Sequence, residues 1–99
     1  MEKYILNENS EKTKMAADFD VFLKGKEKRI TFERLKVLDY IMGEELYFNA
    51  DDLYLTMRTE KTQISRATIY NTIGLLCEAG LLIKNSTERK NSRALYTRA

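Results

Sequence analysis

The sequence predicts a mainly α-helical domain that ends in a small β-hairpin. The chain has 99 residues, no proline and 32% charged residues, a composition that favours helices over a sandwich of many turns. Apolar residues recur at three- and four-residue spacing in four separate segments, as in amphipathic helices. After the fourth segment, two short strand-like runs flank a polar tip, the pattern of a hairpin. Four helices followed by such a hairpin describe a winged helix-turn-helix.

The first two predicted helices are amphipathic. The first runs from Ser10 to about Gly25, and its core stripe comprises Met15, Phe19, Phe22 and Leu23. Thr31 caps the second, which Gly43 closes and in which Arg34 reaches outward. The expected core face of this second helix comprises Leu35, Leu38, Ile41 and Met42. Both stripes follow the 3.6-residue helical period.

The third predicted helix, NADDLYLTM, begins at its cap Asn49. Its apolar set comprises Ala50, Leu53, Tyr54 and Met57. Asp51 and Asp52 occupy the first turn, where the helix dipole favours each negative charge by ~0.3–1 kcal/mol. This structural role explains the two carboxylates, so they are not interpreted as a catalytic pair.

The fourth predicted helix lies between Ser65, a good N-cap, and Gly80, a good stop. Ile64 just before it is expected to be buried. The buried stripe comprises Ile69, Ile73 and Leu76. The opposite face carries Ala67, Tyr70, Asn71 and Gly74, at about 100° per residue. That face is nearly uncharged, whereas a purely solvated face would carry Glu and Lys. The helix is therefore expected to enter a groove.

The two ends of the chain are less regular. Strands are predicted at Leu81–Ile83 and Arg93–Thr97, with NSTERKNS as the tip. Residues 1–9 are interpreted as an N-terminal arm ahead of a domain at 10–99. The apolar residues Tyr4, Ile5 and Leu6 leave open whether the arm docks on the body, docks on another copy, or is frayed and disordered.

Charge is distributed unevenly along the chain. The formal net charge is only +2 and the pI about 8.7, short of the value above ~9 that is typical of strongly nucleic-acid-binding domains. However, Lys24–Lys36 and Lys84–Arg98 are basic, and Gly43–Glu60 between them is acidic. Two basic segments flanking an acidic one predict a molecule with a positive face.

Cysteine and histidine usage narrows the chemistry. Cys77 is the single cysteine, which predicts no internal disulfide and a reducing compartment, and it is interpreted as an inert thiol beside the core. Histidine is absent, which removes the commonest metal ligand and acid–base group. No signal peptide or long apolar run is evident. A cytoplasmic protein without a membrane partner is expected. With no glycine-rich phosphate loop or nucleophile–base pairing either, an enzyme is not expected.

Three motifs resemble the ferric uptake regulator (Fur) family. The segment ISRATIYNTIGLLCEAGLL is similar to its recognition helix and following strand, with an aromatic after a Thr-Ile pair, a leucine-rich stripe, an acid and Gly-Leu. RITFERLKVLDYI matches its Arg/Lys-x-Thr-x-x-Arg-x-x-(Ile/Val)-Leu signature, and NADDLYLTM its third helix. The motifs stand in the family's order and, with the wing, span roughly residues 15–97.

The resemblance implies sequence-specific binding of double-stranded DNA by a transcriptional regulator, with a repressor expected. It implies that Tyr70 contacts bases in the major groove, that Arg29 lies in or near the minor groove, and that Arg34 lies close to phosphates. Where the family usually has arginine, this chain has Asn71. Asparagine suits adenine, whereas arginine prefers guanine, so a different operator sequence is expected.

The residues themselves indicate further contacts. Ser65 and Thr68 are expected to cap the fourth helix and donate to phosphate, because a helix N-terminus suits an anion. Arg66 is interpreted as a phosphate contact. Thr62 and Gln63 in the preceding turn are candidate phosphate donors. The wing candidates for phosphate or the minor groove are Arg89, Lys90 and Arg93, with a solvated charged tip as the alternative.

The resemblance also implies a further domain after the wing, which dimerises and binds zinc or iron through His, Cys and acids. This chain stops at Ala99 and has no histidine and one cysteine; these residues cannot assemble a plausible metal cage, so no bound metal is expected in it. The chain is interpreted either as the DNA-binding half of a longer regulator or as a stand-alone piece. A homodimer on a palindromic operator is expected of any full-length form. The rival interpretation is a winged-helix module that binds proteins instead of DNA.

Overall fold

The computed structural model describes residues 10–44, 46–85 and 94–99. In these ranges the chain forms four helices and two strands. They are α1 (Ser10–Gly25), α2 (Phe32–Met42), α3 (Ala50–Thr59), α4 (Arg66–Glu78), β1 (Leu82–Asn85) and β2 (Leu95–Arg98). The predicted order of four helices and a hairpin is confirmed. The predicted arm at 1–9 and the wing tip lie outside the described residues.

Three helices begin at the caps that the sequence predicts. The hydroxyl of Thr31, the side-chain oxygen of Asn49 and the hydroxyl of Ser65 each accept a hydrogen bond from the backbone N–H three residues later, at 3.2, 2.8 and 3.1 Å. Each cap satisfies an amide that has no partner within its own helix. The starts of α2, α3 and α4 are therefore local properties of the chain.

The end of α4 is also local. The N–H of Leu81 donates to the carbonyl of Leu76 at 2.9 Å, and the N–H of Gly80 donates to that of Cys77 at 3.0 Å. Gly80 has a φ of +79°. This pair of bonds around a left-handed residue is the Schellman motif. The predicted stop at Gly80 is confirmed.

The core lies where the four helices meet. Its fully buried side chains are Phe19, Leu23, Val37, Leu38, Ile41, Leu53, Met57, Ile69, Thr72, Ile73 and Leu76. The stripes predicted for α1, α3 and α4 lie in this cluster or pack against it. Cys77 is half-buried beside it, and burial raises the pKa of its thiol. A raised pKa disfavours the reactive thiolate, consistent with the predicted structural role.

One face was predicted with an error. The core face of α2 contains Val37, whereas Leu35 is 41% exposed and Met42 only half-buried. The buried arc centres on the positions of Val37, Leu38 and Ile41, and at about 100° per residue Leu35 falls near its margin. The apolar stripe was wider than the surface that the neighbouring helices cover.

The strands form a two-stranded antiparallel sheet in which Leu82 pairs with Arg98 and Asn85 with Leu95. Both strands are displaced by one or two residues from the predicted runs. Phe48 bridges to Tyr96, so the α2–α3 connection is attached to the edge of the wing. None of the described helices has the length and apolar character needed to cross a membrane.

Candidate nucleic-acid interface

The outer face of α4 is open to solvent. Its residues Ala67, Tyr70, Asn71 and Gly74 are all exposed, and the side chain of Tyr70 is 44% exposed. Ile73 on the opposite face is 2% exposed. The helical register predicted for α4 is confirmed. The groove contacts expected of Tyr70 and Asn71 stay predictions, although both side chains stand clear of the core.

On one side, the outer face borders the first turn of α2. A concavity of about 410 Å³ is lined by Thr31, Glu33, Arg34, Ala67, Thr68 and Asn71. The N-terminal turns of α2 and α4 thus meet in one hollow. Helix N-termini carry partial positive charge and unpaired amides, which favour an anion. Three predicted site residues, Arg34, Thr68 and Asn71, share this hollow.

Arg34, predicted to reach outward, lines the open hollow and is anchored to the connector before α2. Its side chain is half-buried, and its Nη1 donates to the backbone carbonyl of Arg29 at 2.7 Å. The helical position of Arg34 lies close to those of Val37 and Ile41, which explains the partial burial, but its hydrogen bond is exposed. The bond ties the Arg29 backbone to α2, and the Arg29 side chain is exposed. The two arginines are therefore neighbours at the rim of the hollow.

On the other side, the outer face borders the first turn of α3. The Asp51 carboxylate Oδ1 accepts a hydrogen bond from the Tyr70 hydroxyl at 2.5 Å and one from Arg66 Nη1 at 2.8 Å. The Arg66 guanidinium also lies over the Tyr54 ring, 4.5 Å from its centroid, a distance typical of a cation–π contact. The hydrogen bond to Asp51 raises the pKa of the Tyr70 hydroxyl above its usual value, and burial adds to this.

These contacts of Asp51 and Tyr54 were missed in the sequence. Asp51 was explained by the helix dipole alone and Tyr54 as core, yet Tyr54 is half-buried beneath Arg66. The partners Arg66 and Tyr70 lie 15 and 19 residues beyond Asp51. No local spacing carries such a contact, because it depends on how α3 crosses α4.

The turn between α3 and α4 contains Lys61 and Gln63, which have φ values of 61° and 64°, before the buried Ile64. The Gln63 side chain is exposed. Thr62 is different: its backbone N–H donates to the carbonyl of Met57. Its Oγ1 is buried and finds no hydrogen-bond partner among the described residues. The Thr62 hydroxyl oxygen is therefore not on the described surface, and its phosphate contact stays a prediction.

Ser65 and Thr68 lie together at the start of α4, where the Ser65 hydroxyl also donates to Thr68 Oγ1 at 3.0 Å. Ser65 is exposed and Thr68 half-buried. The wing candidates Arg89, Lys90 and Arg93 lie outside the described residues. The structure thus groups Arg29, Arg34, Thr68 and Asn71 on one side of α4, and Arg66 and Tyr70 on the other.

The residues present do not suit a metal cage. The sequence has no histidine and one cysteine, and transition-metal sites draw mostly on these two residue types. Among residues 10–44, 46–85 and 94–99, no three His, Cys, Asp or Glu side chains converge in a way that could hold an ion.

The fold and the exposed face of α4 define a winged helix-turn-helix domain. The chain belongs to the ferric uptake regulator family, whose model matches residues 26–98. It is 33% identical over 64 residues to the ferric uptake regulation protein of Bordetella parapertussis, covering 64% of this chain and 46% of that protein. The resemblance seen in the sequence motifs is confirmed.

Solved structures share the fold. One is PerR from Streptococcus pyogenes, a protein of peroxide sensing and gene regulation. It superposes with a TM-score of 0.62 at 23% identity, and the match covers 78% of this chain and 52% of PerR. The Vibrio cholerae ferric uptake regulator, described with its DNA-binding domains, superposes with a TM-score of 0.62 at 20% identity, covering 78% and 58%. The chain spans about half the length of these relatives.

Proposed function

We propose that this chain binds double-stranded DNA in a sequence-specific manner, as the DNA-binding domain of a Fur-like transcriptional repressor. The observation that carries the proposal is the outer face of α4, which is exposed, nearly uncharged and bordered by the first turns of two other helices. Membership of the ferric uptake regulator family supports it. A helix presented in this way fits the major groove, which admits one α-helix.

The proposed roles divide between orientation and reading. Tyr70 and Asn71, near the middle of the outer face, read base edges. Arg29 lies in or near the minor groove. The residues that hold the phosphates are Arg34, Gln63, Ser65, Arg66 and Thr68, and the wing residues that contact phosphates or the minor groove are Arg89, Lys90 and Arg93. Phosphate contacts set the register of a protein on DNA, and base contacts supply its specificity.

One domain of this size covers only part of an operator. We therefore propose that the full-length regulator binds a palindromic operator as a homodimer in the cytoplasm, with two copies of α4 about one helical turn apart. No metal role is proposed for this chain, because it has no histidine and one cysteine.

The test begins with a random-sequence duplex pool, from which the chain enriches bound sequences over several rounds. Fluorescence anisotropy then compares one enriched duplex with a scrambled duplex of equal composition, at two salt concentrations. The enriched duplex should bind more tightly. If about four phosphates are neutralised, the logarithm of the association constant should fall against the logarithm of salt with a slope of about −3.6.

Two variants complete the test: Asn71→Ala on the outer face of α4, and its control Thr13→Ala on the exposed surface of α1. Asn71→Ala should reduce the preference for the enriched duplex, and Thr13→Ala should leave it unchanged. Equal affinity of the native chain for both duplexes, or the absence of a salt dependence, would refute DNA recognition and favour a module that binds proteins.

A further inference from the structure

We propose that Asp51 is a positioning residue of the DNA-reading surface, which holds Tyr70 and Arg66 in one arrangement before DNA arrives. This role rests on the proposed function. A single carboxylate oxygen, Oδ1, accepts hydrogen bonds from both side chains. Among the described residues, Asp51 is the one residue of α3 that accepts side-chain hydrogen bonds from two residues of α4.

The two bound groups are restrained from more than one direction. The Arg66 guanidinium donates one N–H to Asp51 and lies over the Tyr54 ring, so its plane is fixed by two neighbours from α3. Arginine has five N–H donors, and four remain for other acceptors. The Tyr70 hydroxyl donates to Asp51 while the residue remains 44% exposed, so its orientation is restrained and its surface stays open to a ligand.

The negative charge of Asp51 indicates that this residue benefits DNA binding by orienting Tyr70 and Arg66, and not by adding stability or affinity. Asp51 and Arg66 side chains are 48% and 55% exposed, and an ion pair at such a surface contributes little to folding. A carboxylate beside bound DNA repels phosphates, so Asp51 should weaken non-specific affinity. A residue that costs affinity and adds little stability is expected to act through the geometry it imposes, since pre-ordered side chains lose less entropy on binding.

The alternative is a role confined to α3, in which Asp51 only complements the helix dipole. Asp52 supplies the matched control, because it occupies the same first turn and its side chain is exposed. Removal of either carboxylate deletes one negative charge near the N-terminus of α3. Only the removal of Asp51 frees Tyr70 and Arg66.

The experiment measures discrimination, defined as the dissociation constant for a scrambled duplex divided by that for a duplex enriched from a random pool. Asp51→Ala should lower discrimination about tenfold, as expected for the loss of hydrogen bonds to a charged group. It should at the same time bind the scrambled duplex more tightly. Asp52→Ala should also tighten scrambled binding, but its discrimination should equal that of the native chain.

Two further variants separate orientation from folding. Asp51→Asn keeps an acceptor oxygen in place of Oδ1 and should restore part of the discrimination. Tyr70→Phe removes the same hydrogen bond from the other side, so combining it with Asp51→Ala should lower discrimination by less than the product of the two single effects. If Asp51→Ala fails to fold, Tyr70→Phe alone should still lower discrimination.

The outcomes are distinguishable. Native discrimination that Asp51→Ala leaves unchanged, or that Asp52→Ala lowers equally, would overturn the positioning role and leave the proposed function intact. A native chain that does not discriminate would overturn the proposed function, and the positioning role with it.

Discussion

The two faces of α4 illustrate different sources of structural information. The inner face contains the buried residues Ile69, Ile73 and Leu76, and their spacing along the helix was enough to predict that they share one side. On the outer face, Tyr70 and Asn71 are exposed by the same spacing, but their neighbours come from α3 and α2. One helix thus combines a face determined by periodicity with a face whose chemistry is completed by distant segments.

This difference predicts opposite responses to substitution. Changes on the inner face should alter the free energy of unfolding, because they leave cavities in a close-packed interior. Changes on the outer face should alter DNA binding with little effect on folding, because exposed side chains contribute little to stability. The substitutions that follow test this separation, from the largest expected effect to the smallest.

Ile73→Ala should lower the free energy of unfolding by about 2–5 kcal/mol, since it removes apolar groups from a side chain that is 2% exposed. Urea denaturation followed by circular dichroism measures the change. Asn71→Ala, two positions away on the outer face, is the control and should stay within about 0.5 kcal/mol of the native value. Equal stability of the two variants would mean that the faces of α4 are not separate in this way.

Tyr70→Ala should weaken specific DNA binding by about 1–3 kcal/mol, the scale of one good base contact, while the protein stays folded. Anisotropy with the enriched duplex measures the loss. Val21→Ala on α1, where the side chain is 71% exposed, controls for a general effect of removing surface apolar area. Unchanged DNA affinity would exclude Tyr70 from the interface.

Ser65→Ala should lower the free energy of unfolding by about 1 kcal/mol, because it removes the cap of α4. Thermal denaturation measures this, and Ser65→Asn should retain the cap and most of the stability. Ser65→Asn also tests the outer surface. If the hydroxyl itself contacts phosphate, Ser65→Asn should fold normally but bind DNA less tightly than the native chain. Equal binding by Ser65→Asn and the native chain would show that the hydroxyl itself is not needed for DNA contact.

Gly74→Ala should raise the free energy of unfolding by roughly 0.5–1 kcal/mol, because glycine is unfavourable within a helix and a methyl group there meets nothing within 4 Å. Gly80→Ala is the contrasting control and should be destabilising, since Gly80 has a φ of +79°. If the outer face approaches DNA closely, Gly74→Ala should be more stable yet bind DNA less tightly. A loss of stability in Gly74→Ala would contradict the open environment of this position.

The comparison of α2 with α4 shows how well a stripe of apolar residues predicts which side chains are buried. For α4, the buried stripe was predicted correctly, because the helix packs along its whole inner side. For α2, Leu35 was predicted to be buried but is 41% exposed. Periodicity gives the direction of the apolar side of a helix. It does not state how wide an arc the neighbouring elements will cover.

The sequence by itself determined the elements of this protein. Caps at Thr31, Asn49 and Ser65 and the stop at Gly80 act within a few residues of the chain, so local hydrogen bonding sets where the helices begin and end. The outer face of α4 followed from the same local rules, because a helix of known register has a known exposed side. The family motifs could be recognised in the sequence because each is a short, continuous segment within one of these elements.

Only the tertiary structure decided what surrounds that face. It joined Asp51 to Arg66 and Tyr70, tied Arg34 to the Arg29 carbonyl, and buried the Thr62 hydroxyl oxygen. The Asp51 contacts span 15 and 19 residues and depend on the angle and distance at which the helices cross. That geometry arises from the packing of the whole core, which no local pattern of residues specifies.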